Sequence, residues 1–155
     1  MWVVQLAGKV KIEERMHSFE DDLSYALIQL IKEHRRQADE ALKQLGLHAA
    51  QEFLLFLLWE EDGLSQSQLA ARLKLELPTI TKSVQRMERA GLVKRHLDEQ
   101  DTRISRVYLT EAGRALYEPA VQVWKDLDAR TRLHMTELEQ ALLRRLLQQA
   151  LANLS

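Results

Sequence analysis

Apolar side chains recur at intervals of three and four along most of this chain. Leu23, Leu27, Leu30, Ile31, Ala38, Ala41, Leu42 and Leu45, with His34 in the same stripe, predict a long amphipathic helix over Asp21–Leu45, stopped by Gly46. A second helix, about His48–Glu61, is so rich in Leu and Phe that its apolar residues nearly encircle it, which predicts a central position before Asp62-Gly63 ends it. Ser65 followed by Gln68 is a capping-box spacing and opens a short helix through Leu73, with Leu69, Ala70 and Leu73 on its buried side. Pro78 suits a first helical position, where its missing N–H costs nothing. The helix it opens runs to Ala90, turns Ile80, Val84 and Met87 inward, and ends at Gly91.

The period then changes. Leu92–Arg95 and Ser105–Leu109 are short β-capable runs flanking a polar loop with Asp98, Asp101 and Arg103, and Thr110 opens another helix. Leu116, Ala120, Val123, Trp124, Leu127 and Thr131 extend that helix from Glu111 for about twenty residues, or roughly 30 Å. Pro119, inside it, is expected to kink it. Thr136 and Glu139 form a further capping box, starting a last helix that reaches about Asn153.

The order predicts a mainly α chain with a small β-hairpin wing: a winged helix-turn-helix embedded in a helical dimerisation scaffold. Residues 1–155 are read as a single domain, with 47–113 the winged unit and 1–46 and 114–155 the scaffold. Leu138, Leu142, Leu143, Leu146, Leu147, Ala150, Leu151 and Leu154 give the last helix a wider apolar face than one chain of this size needs, which predicts a homodimer. The longest apolar run, Phe53–Trp59, falls well below the roughly 18 residues of a membrane span. Trp2, Val3, Val4 and Leu6 are too short a patch for a secretory leader and are followed by charge from Lys9 to Arg15. They are expected to pack on the dimer, and the chain is expected to be cytoplasmic with no membrane contact. Cysteine is absent, which excludes disulfides and thiol chemistry in this sequence.

Charge is segregated. The net charge is −1, yet between Arg72 and Arg106 nine Lys/Arg stand against five Asp/Glu, a local +4, while the remainder carries thirteen against eighteen, or −5. A locally positive surface on an otherwise negative molecule attracts phosphates and orients the encounter.

Reading bases in a major groove requires side chains that donate and accept in pairs. The only Asn is Asn153, so Gln85 and Arg86 become the preferred base readers, with Pro78, Thr79, Thr81 and Lys82 at the start of the same helix reaching bases or backbone. Ser65, Gln66 and Ser67 suit phosphate contact at a helix start, although Ser65 also serves as a cap. Arg95 and Arg106 add charge on the hairpin. Arg103 at the wing suits a narrow A/T-rich minor groove, and Asp101 is placed to hold the guanidinium of Arg103 or of Arg106.

The motifs within Leu64–Gly113 are S-x-S-x-L-A-x-x-L from Ser65, P-T-x-T-x over Pro78–Lys82, G-L-V-x-R over Gly91–Arg95, D-x-R over Asp101–Arg103 and L-T-x-x-G over Leu109–Gly113. Together they resemble the MarR family of bacterial transcriptional regulators. The resemblance implies a homodimer with interlocked terminal helices. It also implies double-stranded DNA as partner, read at a pseudo-palindromic operator, and release of a repressed gene by a small aromatic or phenolic effector. The effector cavity would lie between the first and fifth helices and the winged unit, but no residue here identifies it. Two features depart from the pattern: Glu76 replaces the usual Ser cap, where its carboxylate is expected to accept from backbone N–H groups, and the absent cysteine removes the thiol-oxidation branch of the family.

The competing classes are a winged-helix module that docks another protein and a constitutive regulator without effector. An enzyme is not expected, since no nucleophile-elbow, phosphate-loop or zinc-helix signature occurs. The histidines at 17, 34, 48, 96 and 134 form no pair at metal-ligand spacing on one helix, His17 with Glu20 or Asp21 being the nearest approach, so neither metal nor cofactor is expected. Trp59 and Trp124 are read as core.

Overall fold

The computed structural model describes residues 20, 22–48 and 50–155. The expectations for Trp2, Val3, Val4, Leu6, His17 and Asp21 lie outside these residues. The chain divides into a unit of residues 1–36 and a unit of residues 37–155. Helix α1 (Leu23–Gln44) contributes residues to both. In the first unit Leu23, Ile28, Leu30 and Ile31 are exposed, and Glu33 accepts a two-pronged bond from Arg36.

In the second unit the order is α2 (Gln51–Glu60), β1 (Leu64–Ser65), α3 (Gln66–Leu73), α4 (Leu77–Arg89), β2 (Val93–Leu97), β3 (Ser105–Leu109), α5 (Glu111–Ala115), α6 (Tyr117–Thr131) and α7 (Glu137–Leu154). The expected mainly helical chain with a hairpin wing is what is found, and the sheet has a third strand. β1, only two residues long, pairs antiparallel with β3, giving the order β1-β3-β2. Too short to show a period, it is invisible in the sequence pattern.

The core gathers Leu54, Leu55 and Leu58 of α2, Leu69 of α3, Ile80, Val84 and Met87 of α4, and Val93, Val107 and Leu109 of the sheet, with Ala38 and Leu42 of α1. Each fully buried Leu or Ile contributes on the order of 1.5 to 3 kcal/mol relative to exposure. α2 is central, as its composition suggested, although Phe53 remains exposed. It starts later than expected because Ala50 adopts a left-handed conformation (φ 67°) and the Gln51 side chain folds back to accept from the His48 N–H at 2.8 Å.

Two boundaries differ from the sequence reading at prolines. Pro78 occupies the second helical position of α4, after Leu77, and Glu76 makes no side-chain bond to the helix end. The carboxylate cap expected there is absent. The long fifth helix is interrupted at Leu116, which keeps right-handed helical dihedrals (φ −76°, ψ −10°) and divides it into α5 and α6. The ring of Pro119 removes one ladder N–H and crowds the carbonyl of Ala115 four residues back, so α5 ends there and Pro119 falls in the first turn of α6, where proline is tolerated.

Gly113 in α5 is where the hairpin meets the following helix. A Cβ there would lie 2.1 Å from the Leu92 carbonyl oxygen. That carbonyl accepts from the Thr110 N–H at 3.0 Å, and the Thr110 hydroxyl donates to Gly91 O at 2.6 Å. α7 buries none of its residues among those described.

Candidate nucleic-acid interface

Helix α3 begins with a complete capping box: the Ser65 hydroxyl accepts from Gln68 N at 3.2 Å, and the Gln68 amide oxygen accepts from Ser65 N at 2.8 Å. Ser65 therefore spends its acceptor on the helix. Ser67 is exposed beside it. Gln66 reaches the neighbouring helix, its amide oxygen accepting from the Thr81 hydroxyl at 2.8 Å. This part-buried bond ties the start of α3 to α4, so Gln66 and Thr81 orient the pair.

On α4 the buried residues Ile80, Val84 and Met87 recur at helical spacing, which leaves Pro78, Thr79, Lys82, Arg86 and Arg89 exposed on the other side, with Gln85 half-buried. Lys82, Arg86 and Arg89 have no carboxylate partner among the described residues. They are the uncompensated cations of the helix.

The three hairpin arginines behave differently. Arg95 pairs with Glu88 of α4, its Nε donating at 3.0 Å and its Nη2 lying 2.7 Å from the carboxylate. Arg103 donates from backbone N, Nε and Nη2 to Asp101 at 3.1, 2.9 and 3.0 Å, while its side chain stays 89% exposed. Of the two arginines Asp101 was expected to hold, it takes Arg103, and Arg106 is held by Asp98 and by the Gly63 carbonyl, the latter at 3.1 Å. The register explains the exchange. His96 stands opposite Arg106, and Asp98 follows His96 by two residues and so shares its face. Asp98 also accepts from the backbone N–H groups of Gln100 and Asp101 at 2.9 and 3.0 Å.

These contacts set the charge states. The Arg106 guanidinium, followed by the two backbone donors, holds the Asp98 carboxyl below its usual range, and Arg103 does the same for Asp101. Arg95 lowers Glu88 against an opposing effect of burial. Arg103 and Arg106 are held more firmly protonated in turn. The wing loop is thus ordered by two ionised carboxylates, each clasping an arginine.

Sequence reasoning gave Glu88 no role and read Asp62 and Gly63 only as a helix end. Asp62 closes the far side of the sheet: it accepts from Gly63 N at 3.0 Å and Leu109 N at 2.9 Å and pairs with Arg114 of α5. The alternation Lys94, His96, Asp98 was a usable signal for Asp98. The contacts of Glu88 and Asp62, across seven and 47 residues, leave no trace in local pattern.

Trp59 is half-buried and donates its indole N–H to Gly113 O at 3.1 Å. It lies edge-to-face with Phe56 (5.3 Å) and with Tyr117 (5.2 Å), and these rings with Glu60 and Val121 line a cleft of about 300 Å³ between α2 and α6. Trp124 sits 6.3 Å from Phe53 and packs against the core. Among the described residues no cluster of His, Asp and Glu could hold a metal ion, and no helix is long and apolar enough to cross a membrane.

Residues 47–105 match the family model described as MarR family. The organic hydroperoxide resistance transcriptional regulator of Bacillus subtilis is 34% identical over 104 residues, covering 67% of this chain and 71% of the relative. The HTH-type transcriptional repressor IacR of Pseudomonas putida is 30% identical over 135 residues, covering 87% and 81%. Among solved structures, that of the S. aureus MepR–DNA complex superposes with a TM-score of 0.73 at 27% identity, over 89% of this chain and 100% of that one. A capped α3, a following helix with a cationic outer face, a clasped wing and these relatives lead to one conclusion: the chain belongs to the MarR family of DNA-binding transcriptional regulators.

Proposed function

We propose that the protein is a dimeric repressor that reads a pseudo-palindromic operator in double-stranded DNA and lets go when a small ligand binds. The observation that carries the DNA reading is the exposed, uncompensated set Lys82, Arg86 and Arg89 on α4, flanked by Thr79 and Gln85 and set between a capped α3 and the outstretched Arg103 of the wing. In this reading α4 enters the major groove, Gln85 and Arg86 contact base edges, Thr79 and Lys82 contact bases or backbone, Ser67 takes a phosphate, and Arg103 enters the adjacent minor groove. Ser65, Gln66, Thr81, Arg95, Asp101 and Arg106 act by position, holding the groups that touch DNA.

Residues 47–113 form the reading unit, with 1–46 and 114–155 as scaffold. Leu138, Leu142, Leu146, Leu147, Leu151 and Leu154 of α7 are all exposed and supply the apolar surface for a second copy. Repression is named for the P. putida relative and DNA is present in the S. aureus structure. The B. subtilis relative is named for hydroperoxide resistance, and this chain has no cysteine, so thiol oxidation is not the route proposed for release here.

Footprinting upstream of the protein's own and neighbouring genes, with anisotropy measured across a salt series, tests the reading. A two-fold symmetric site with half-sites about one helical turn apart is expected. Log K should fall linearly with log salt. Arg103→Ala should weaken binding most where the flanks are A/T-rich, and Gln85→Ala should relax base preference at a cost of roughly 1 to 3 kcal/mol. An asymmetric footprint, or an Arg103→Ala variant that binds like wild type, contradicts it. A protein-docking module is favoured by one observation, the carboxylate partners already held by Arg95, Arg103 and Arg106. A shallow salt slope would select that alternative.

A further inference from the structure

We propose that the cleft between α2 and α6 is a binding site for a small aromatic organic cation, with Glu60 as the residue that selects the charge. The inference deepens the release reading by naming the ligand's chemistry, and its binding test stands apart from DNA.

Three features of the cleft point to a cation. Its walls are aromatic: Phe56, Trp59 and Tyr117 meet in successive edge-to-face contacts at 5.3 and 5.2 Å, with interplanar angles of 84° and 79°. Aromatic faces carry the negative lobe of the ring quadrupole, and Trp attracts cations most strongly. The indole N–H, a donor that would favour an anion, is already committed to Gly113 O at 3.1 Å, which also pins the ring.

The third feature is the charge at the mouth. Glu60 lines the cleft, is exposed, and takes no ion-pair partner among the described residues, whereas the adjacent Glu61 and Asp62 are matched by Arg72 and Arg114. Glu118, next to Tyr117 in the chain, is likewise without an ion-pair partner among them. Among the described residues, no Lys, Arg or His lines the cleft. A benzoate or phenolate would surrender hydration against this field, whereas a cation would gain both the ring faces and the carboxylate. At about 300 Å³ the cleft lies at the low end of ligand sites and suits one ring bearing a compact ammonium group.

The site is placed to be felt elsewhere. A ligand seated in the cleft touches Tyr117, the first residue of α6, and the indole that holds Gly113, the glycine seated against the Leu92 carbonyl where the hairpin begins.

Isothermal titration of the full chain with benzyltrimethylammonium, benzyl alcohol and benzoate tests the assignment. Benzyltrimethylammonium is expected to bind about tenfold or more tightly than benzoate. Glu60→Gln, a surface change that leaves the core intact, should lower affinity for the cation about tenfold while leaving benzyl alcohol unchanged, and Glu60→Lys should reverse the preference between cation and benzoate. Tyr117→Leu keeps the bulk but removes a ring, and should weaken the cation severalfold. Equal affinity for benzoate, a Glu60→Gln variant that binds the cation like wild type, or no heat with any probe because the chain itself fills the cleft would overturn the proposal. DNA anisotropy with wild type is a separate arm: cation binding of the stated selectivity without DNA release keeps the site and removes ligand release from the functional reading.

Discussion

Gly113→Ala sets helix propensity against sterics, and the two disagree in sign. Gly113 lies within α5, where exchanging Gly for Ala normally stabilises a helix by about 1 kcal/mol. Here the new methyl would lie 2.1 Å from Leu92 O, 3.1 Å from Leu92 C and 3.2 Å from Leu109 Cδ2. A carbon ordinarily approaches a carbonyl oxygen to about 3.3 Å, so the joint must open by about 1 Å. The obstructing atom is backbone and cannot rotate away. It also accepts from Thr110 N at 3.0 Å, and a retreat of that size carries the bond beyond useful range. Overpacking at about 1 to 3 kcal/mol and a weakened bond at about 1 to 3 kcal/mol, less the propensity gain of about 1 kcal/mol, leave a net loss of about 1 to 5 kcal/mol, centred near about 3. Gly91→Ala is the control, since Gly91 has a positive φ of 72° but open space around its Cβ direction; it should lose about 1 to 2 kcal/mol from backbone strain alone. Urea unfolding at matched chain concentration compares the two. A Gly113→Ala protein as stable as wild type, or no worse than Gly91→Ala, refutes the reasoning.

Two further outcomes concern the wing. Glu88→Gln should free Arg95 to meet a phosphate, tightening DNA binding and steepening the slope of log K against log salt by about one; weaker binding would show instead that Glu88 holds Arg95 in its working position. Because the Asp98 and Asp101 carboxyls are lowered in the folded chain, their contribution is complete above the ordinary carboxylate range near about 4 and is lost as pH falls through their lowered values. Amide resonances of Gln100, Asp101 and Arg103 should therefore hold steady from pH 8 to 5 and move only at lower pH, and a transition between pH 5 and 7 would contradict the clasp.

The parts of this fold that were legible in sequence are those set by local rules. The stripe Ile80, Val84, Met87, the capping boxes at Ser65 and Thr136, and the hairpin around the polar loop each follow from a spacing of two, three or four residues. Non-local pairing was not legible. Whether Asp98 or Asp101 would hold Arg106 depends on the β2–β3 register, which composition does not encode, and β1 exists only because β3 offers it an edge. At Pro119 the rule was right about the disruption and short on its consequence, a break three residues earlier at Leu116. The acidic cap expected of Glu76 was a propensity argument, and the side chain makes no such bond. In the interface, residue type indicated charge but not engagement: Arg86 and Arg95 look alike in sequence, and only the second is already paired.

If a second copy covers the leucines that α7 leaves exposed, the protein's survival depends on its abundance. On the dimer reading, a newly made subunit displays Leu138, 78% exposed, and the row reaching to Leu154 until it meets a second copy, and surfaces of this kind are what chaperones and proteases engage. At low expression most subunits are single and short-lived, so working regulator accumulates with roughly the square of chain number rather than in proportion to it. Such a regulator carries a dosage threshold: halving its synthesis removes more than half of its activity, with no change in any residue that touches DNA.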